Sequence, residues 1–189
     1  LIGRNLEERY SRMQADYSLQ QYLEEQGIVS IEGLDTRALV EHVRTRGAMN
    51  CIISSETSDV RALKKELAKV PPMDGLELAS VVSTREVYQE GNPHSEIRIA
   101  VVDYGTKKNI LKCLVSRGAY LRVYPAKTSF KEMEEFKPHG YFISNGPGDP
   151  APMKYAVKTV KDILNSGRPL FGICLGHQLL ALANDIPTF

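Results

Sequence analysis

Gly172-Ile173-Cys174-Leu175-Gly176 sets a cysteine midway between two glycines, where an apolar run passes into a helical one. This G-x-C-x-G spacing is the thiol form of a nucleophile elbow. A residue forced into a sharp strand-to-helix turn crowds the residues two before and two after it, and only glycine leaves room there. The turn lifts the sulfur clear of a sheet. It also places it at the positive N-terminal end of the next helix, where an anionic nucleophile is stabilised. Asn145-Gly146-Pro147-Gly148-Asp149-Pro150 has a matching use. Two glycines around a proline give a rigid turn of bare backbone, whose N–H groups can approach a substrate carbonyl. Such oxyanion donors are each worth about 3–4 kcal/mol of barrier. The N–H of Leu175, directly after the cysteine, would supply a second donor. Cys51 and Cys113 lack the glycine flanks and read as buried, inert thiols.

A cysteine nucleophile needs a general base, normally histidine. Of the four histidines, His139 precedes an apolar run and so falls at the opposite end of a sheet. His94 is in a turn-rich stretch and His42 is on a helix of the first half. His177, three residues past Cys174, is a candidate base, with a packing role as the alternative. No acid is placed to orient any of them. The chain ends at Asp185-Ile186-Pro187-Thr188-Phe189. The expectation is a chain cut before its base arrives, which fits a start without Met.

The elements that must position these loops follow from residue 97. Apolar β-branched runs at 97–105, 120–125, 140–145 and 169–173 predict strands, the first buried on both faces. Helical spacing at 106–118, 129–137, 152–167 and 175–184 fills the intervals. Strand–helix alternation predicts an α/β doubly wound, mostly parallel sheet, with its site at the carboxyl ends of the strands. Both candidate loops leave such ends. Residues 1–70 differ. Helices are expected at 18–26, 35–47 and 57–70, with apolar stripes Ala38, Leu39, Val43 and Val60, Leu63, Leu67. Short strands are expected at 28–33 and 50–54, making a smaller α/β domain fragment. PPMDG and EGNPHSE bound 71–96, read as a linker between domains 1–70 and 97–189.

Composition excludes several classes. The 189 residues carry 24 Lys+Arg against 23 Asp+Glu, a net charge of +1, without the basic excess of a nucleic-acid or membrane-surface binder. No apolar stretch approaches the roughly 20 residues that span a bilayer. Three scattered cysteines without a C-x-x-C pair speak against a disulfide framework, zinc and thioredoxin-type redox chemistry. Free thiols fit a reducing, cytoplasmic compartment. No P-loop or metal cluster is visible, so no cofactor or metal is expected in this chain.

GICLGHQLLALA and SNGPGDPAP resemble the class I (triad) glutamine amidotransferases, in which a Cys–His–Glu triad hydrolyses glutamine. SIEGLDTRALVEHVRTRGAMNCIIS and VVDYGTKKNILKCLVSRGAYLRVYPA narrow this to the carbamoyl-phosphate synthase small-chain family. The resemblance extends over most of the chain and implies the class I amidotransferase fold, with flavodoxin-like layering. It implies Cys174 as the nucleophile that forms a glutamyl thioester. Gly148 and Leu175 become oxyanion donors, and Gly146, Gly148, Leu175 and Gln178 line the L-glutamine site. His177 matches a position that is not the triad base. The base histidine and its glutamate belong to a segment after Phe189, and a glutamine-binding serine to one before Leu1. The resemblance thus implies an internal fragment, inactive alone. It also implies a large-chain partner that joins the released ammonia to bicarbonate using ATP and Mg, for arginine or pyrimidine synthesis. Two alternatives stand beside it. One is a docking module for the large chain. The other is an amidotransferase subunit feeding anthranilate or guanine-nucleotide synthesis, against which the N-terminal segment argues.

Overall fold

The chain divides at Met73–Asp74 into two units. A computed structural model describes residues 1–7, 9, 15–47 and 49–188. Residues 8, 10–14, 48 and 189 lie outside the described residues, among them Phe189 of the terminal segment and Ala48 of RGAMNCIIS read above.

Local capping starts each helix of Leu1–Met73. At α1 (Leu19–Glu25) the Ser18 hydroxyl accepts from the Gln21 N–H at 3.2 Å. At α2 (Thr36–Arg46) the Asp35 carboxylate accepts from the Ala38 N–H at 3.0 Å. At α3 (Val60–Leu67) the Asp59 carboxylate accepts from the Arg61 N–H at 2.9 Å. Each cap is worth about 1 kcal/mol, enough to define where a short helix begins. The expected strands depart from the reading. Residue 31 makes a single parallel bridge to Ile2, and 50–54 form no strand. Strand backbone is stable only with a neighbour to take its N–H and C=O groups. Among the described residues nothing pairs with 50–54. Cys51 and Ile52 are accordingly exposed, not buried. The stripe on α2 is likewise uncovered, with Leu39, Val40 and Val43 exposed, and so is Val60 on α3.

From Asp74 the chain builds a five-stranded sheet in the order β1-β3-β2-β4-β5. Residues 71–96 are not a free linker beyond Met73. They supply α4 (Ala79–Val82), with Ala79 fully buried, and edge strand β1 (Tyr88–Glu90). β1 pairs antiparallel with β3 (Ala119–Pro125), Gln89 opposite Arg122. The prolines and turn clusters that suggested a linker flank these elements rather than fill them.

The other strands, β2 (Ile97–Asp103), β3, β4 (Gly140–Ile143) and β5 (Leu170–Gly172), are parallel. They are joined through α5 (Lys108–Val115), α6 (Phe130–Glu134) and α7 (Lys154–Asn165), and α8 (Leu175–Ala183) follows β5. Alternation along the central strand sorts the core into two layers. Ala100 and Val102 face Val160, Ile163 and Leu179 of α7 and α8. Val101 packs with Leu111, Leu121 and Phe142 on the α5 side. β2 is buried on both faces only from Ala100 onward, and Ile97 is half exposed. The fold is α/β, as expected. The chain leaves β2 for β3 on one side and returns to β4 on the other. The crevice at a doubly wound sheet's switch point therefore opens between the carboxyl ends of β2 and β4.

Three tyrosines tie this core to alkaline pH. Burial raises the pKa of Tyr104, with Tyr155 and Glu77 adding to it. Burial and the bond to Glu134 raise Tyr141, and burial beside Glu77 raises Tyr155. Folding thus favours the neutral phenols. Their contribution is fully present below the unfolded value near 10 and is lost as pH rises past it. Stability should hold to about pH 9 and fall steeply above about pH 10, tyrosinate absorbance rising together with loss of helical circular dichroism. Full tyrosine ionisation in a folded protein would contradict this.

Candidate active site

β5 ends at Gly172 and α8 begins at Leu175, leaving Ile173 and Cys174 to make the turn. Cys174 takes φ 53°, ψ −112°. A side chain in that region costs about 1–3 kcal/mol and persists only where its surroundings impose it. Here the imposing contacts are visible. A Cβ on Gly172 would lie 2.6 Å from the Gly176 carbonyl oxygen and 3.0 Å from the His177 nitrogen. A Cβ on Gly176 would strike the Ile143 carbonyl oxygen and come within 2.9 Å of that of Ser144. The Gly176 N–H donates to the Ser144 oxygen and the Ile173 N–H to the Ile143 oxygen, both at 3.1 Å. The start of α8 is therefore seated on the carboxyl end of β4, and Cys174 stands exposed at its tip.

The Gly-Pro-Gly turn leaves that same end of β4. Gly146 packs so closely that a Cβ would strike the Tyr104 carbonyl oxygen and lie 2.9 Å from Leu175 Cδ2. Gly148 has φ +96°, and a Cβ there would meet the Leu76 oxygen at 2.7 Å. Neither the Gly148 N–H nor the Leu175 N–H has an acceptor among the described residues. Leu175 is buried, and Gln178 is half-buried one turn into α8, its N–H donating to the Cys174 oxygen at 3.0 Å. The structure thus brings Cys174, Leu175, Gly146 and Gly148 to one end of the sheet, with Gln178 on the same helix as the cysteine.

Cys113 is exposed on α5, contrary to its reading as a buried thiol, because Leu111 and Leu114 carry that helix's inward face. His139 sits at the amino end of β4 as expected, its Nδ1 accepting from the Arg98 N–H at 3.0 Å. His177 is exposed, and no described histidine hydrogen-bonds Cys174. Among the described residues no group of His, Cys, Asp and Glu could hold a metal ion, and no helix is long and apolar enough to cross a membrane.

Several residues that shape the site went unread in the sequence. The Asp103 carboxylate, at the end of β2, accepts from the Gly105, Thr106 and Thr84 N–H groups at 2.9, 2.7 and 2.7 Å. Asn145 accepts from the Lys107 N–H at 3.2 Å and donates to the Gly105 oxygen at 2.9 Å. The fully buried Ser144 hydroxyl accepts from the Tyr104 N–H at 2.8 Å and donates to the Asn145 oxygen at 2.7 Å. A polar residue closing an apolar strand was the available signal. The partners that cross between segments, Thr84 for Asp103 and Tyr104 for Ser144, are distant in sequence and carry no local signal. Ser144→Ala leaves the Tyr104 N–H unpaired in the interior. It should cost about 1–3 kcal/mol, read as a lowered denaturant midpoint at unchanged slope; an unshifted midpoint would refute the link between β2 and β4.

The family model described as glutamine amidotransferase class-I matches residues 100–188, the whole of this loop-and-elbow region. The model described as carbamoyl-phosphate synthase small chain, CPSase domain, matches residues 1–53. The protein named carbamoyl phosphate synthase small chain from Synechococcus sp. is 42% identical over 201 residues, covering 100% of this chain and 51% of its own length. The chain is similar throughout its length to carbamoyl-phosphate synthase small chains. Similarly named proteins from Chlorobaculum tepidum and Vibrio vulnificus are 42% and 41% identical across the full chain, which covers 52% and 54% of them. The chain spans about half the length of the relatives it matches. The small-chain match over residues 1–53 lies outside the amidotransferase match over 100–188.

Proposed function

We propose that the chain carries the glutamine-hydrolysing centre of a carbamoyl-phosphate synthase. Its carrying observation is the strained turn at Cys174, seated on β4 next to the Gly146–Gly148 loop. Cys174 as thiolate attacks the side-chain amide carbon of glutamine. Negative charge develops on the amide oxygen, and the N–H groups of Gly148 and Leu175 receive it. The carbon–nitrogen bond breaks, ammonia leaves with a proton from the base, and a glutamyl thioester remains on the sulfur. Water then cleaves the thioester, releasing glutamate and restoring the thiol. Gly146, Gly148, Leu175 and Gln178 line the glutamine site. The base, a histidine oriented by a glutamate, comes in this reading from the part of the protein that follows these residues in the family. The name small chain implies a large partner. That partner takes up the ammonia and joins it to bicarbonate with ATP and Mg, for arginine or pyrimidine synthesis in the cytoplasm. This chain itself needs no cofactor for the thiol chemistry.

Labelling of the full-length protein with a glutamine-mimetic electrophile, followed by peptide mapping, tests this. All three cysteines are exposed, so accessibility alone cannot favour one of them. Selective labelling of Cys174 is expected, suppressed by added glutamine. Equal labelling of Cys51 and Cys113 would remove the case for a special thiol.

A further inference from the structure

The segment Asp74–Ser83 lies against the loop assigned to the oxyanion. Gly148 approaches it so closely that a Cβ there would be 2.7 Å from the Leu76 oxygen and 3.0 Å from the Leu78 nitrogen. The next residue, Asp149, ties the two together. Its N–H donates to the Leu76 oxygen at 3.0 Å. One carboxylate oxygen accepts from the Gly75 N–H at 2.9 Å, and the other from the Ala151 N–H at 2.8 Å. We propose that Asp149 is a positioning residue for glutamine hydrolysis, which fixes the direction of the Gly148 N–H by strapping its turn to residues 75–76. This rests on the reading of Gly148 as an oxyanion donor.

The strap is firm enough for the task. Glu77 accepts from the Ser80 N–H at 2.8 Å, from the Ser80 hydroxyl, and from the Tyr155 hydroxyl of α7 at 3.1 Å. Ala79 is fully buried, and the Thr84 N–H bonds the Asp103 carboxylate at the end of β2. The strap is thus anchored both to a core helix and to the central strand. The bonds from Ala151 and Gly75 also hold the Asp149 carboxyl below the usual carboxylate range, so it is an anion with both oxygens engaged. A turn-forming aspartate needs only the local bond to Ala151. The bond to Gly75 crosses 74 residues and joins separate segments.

An oxyanion donor acts on the transition state more than on bound substrate, so misdirecting it lowers kcat and leaves KM nearly unchanged. The test compares Asp149→Ala and Asp149→Asn with the wild type in the full-length protein with its large partner, using glutamine hydrolysis and alkylation of Cys174 by iodoacetamide. Displacement at a saturated carbon forms no oxyanion, so alkylation reports the thiol without the loop. Expected for Asp149→Ala is a fall in kcat of about tenfold, KM within about twofold and alkylation unchanged. Asp149→Asn keeps an acceptor for one of the two N–H groups and should fall between; if the alanine variant does not fold, Asn alone decides. The proposal is overturned by a kcat within twofold of wild type, by a raised KM at unchanged kcat, or by a loss that vanishes once corrected for folded fraction. A wild type that neither hydrolyses glutamine nor labels at Cys174 would instead remove the amidotransferase reading itself.

Discussion

Cys174→Ser in the full-length protein is expected to lower glutamine hydrolysis by at least about 10³-fold and to abolish covalent capture of a glutamine-mimetic electrophile. The exchange keeps size and the backbone turn but replaces sulfur with an oxygen that stays protonated at neutral pH. Glutamine binding should survive, because the proposed contacts come from Gly146, Gly148, Leu175 and Gln178 rather than from the thiol. Thermal stability should change little: Cys174 is exposed, and its side chain makes no hydrogen bond in the described structure. Ammonia release measured with glutamine, beside isothermal titration of glutamine, separates the two effects. Hydrolysis within tenfold of wild type would mean that another group attacks the amide.

Gly176→Ala is expected to be among the most damaging single methyls in the second unit. The added carbon meets the carbonyl oxygens of Ile143 and Ser144, which belong to backbone and cannot swing away. Relief requires α8 to lift from β4, breaking the Gly176–Ser144 bond and moving Cys174 off its loop. Such overpacking costs about 3 kcal/mol. Gly118→Ala is the control. Its φ of +84° is unfavourable for a side chain but nothing lies within 4 Å of the new carbon, so about 1 kcal/mol is expected. Chemical denaturation gives both costs, and labelling of Cys174 in the folded Gly176→Ala protein should slow even at temperatures where it remains folded. Equal costs at the two glycines would show that backbone conformation, and not the seat on β4, governs the elbow.

The sequence alone determined the features that short-range physics controls. The elbow is one in part, since the crowding that requires Gly172 comes from Gly176 and His177 within five residues, whereas that on Gly176 comes from Ile143 and Ser144 at the end of β4. The caps at Ser18, Asp35 and Asp59 are others, each a side chain bonding an N–H two or three residues on. The parallel sheet followed from the alternation of apolar runs with helices, because such strands must be covered on both faces. Only the tertiary structure decided which loops meet. The closeness of Gly146 to Tyr104, the Ser144 and Asn145 clamps, and the strap from Gly75 to Asp149 join residues 38 to 74 positions apart. It also decided that residues 79–82 and 88–90 belong to the second unit, that 50–54 form no strand, and that Cys113 faces outward. Pairing and burial are properties of neighbours brought together by folding, and no residue's own type records which neighbours those will be.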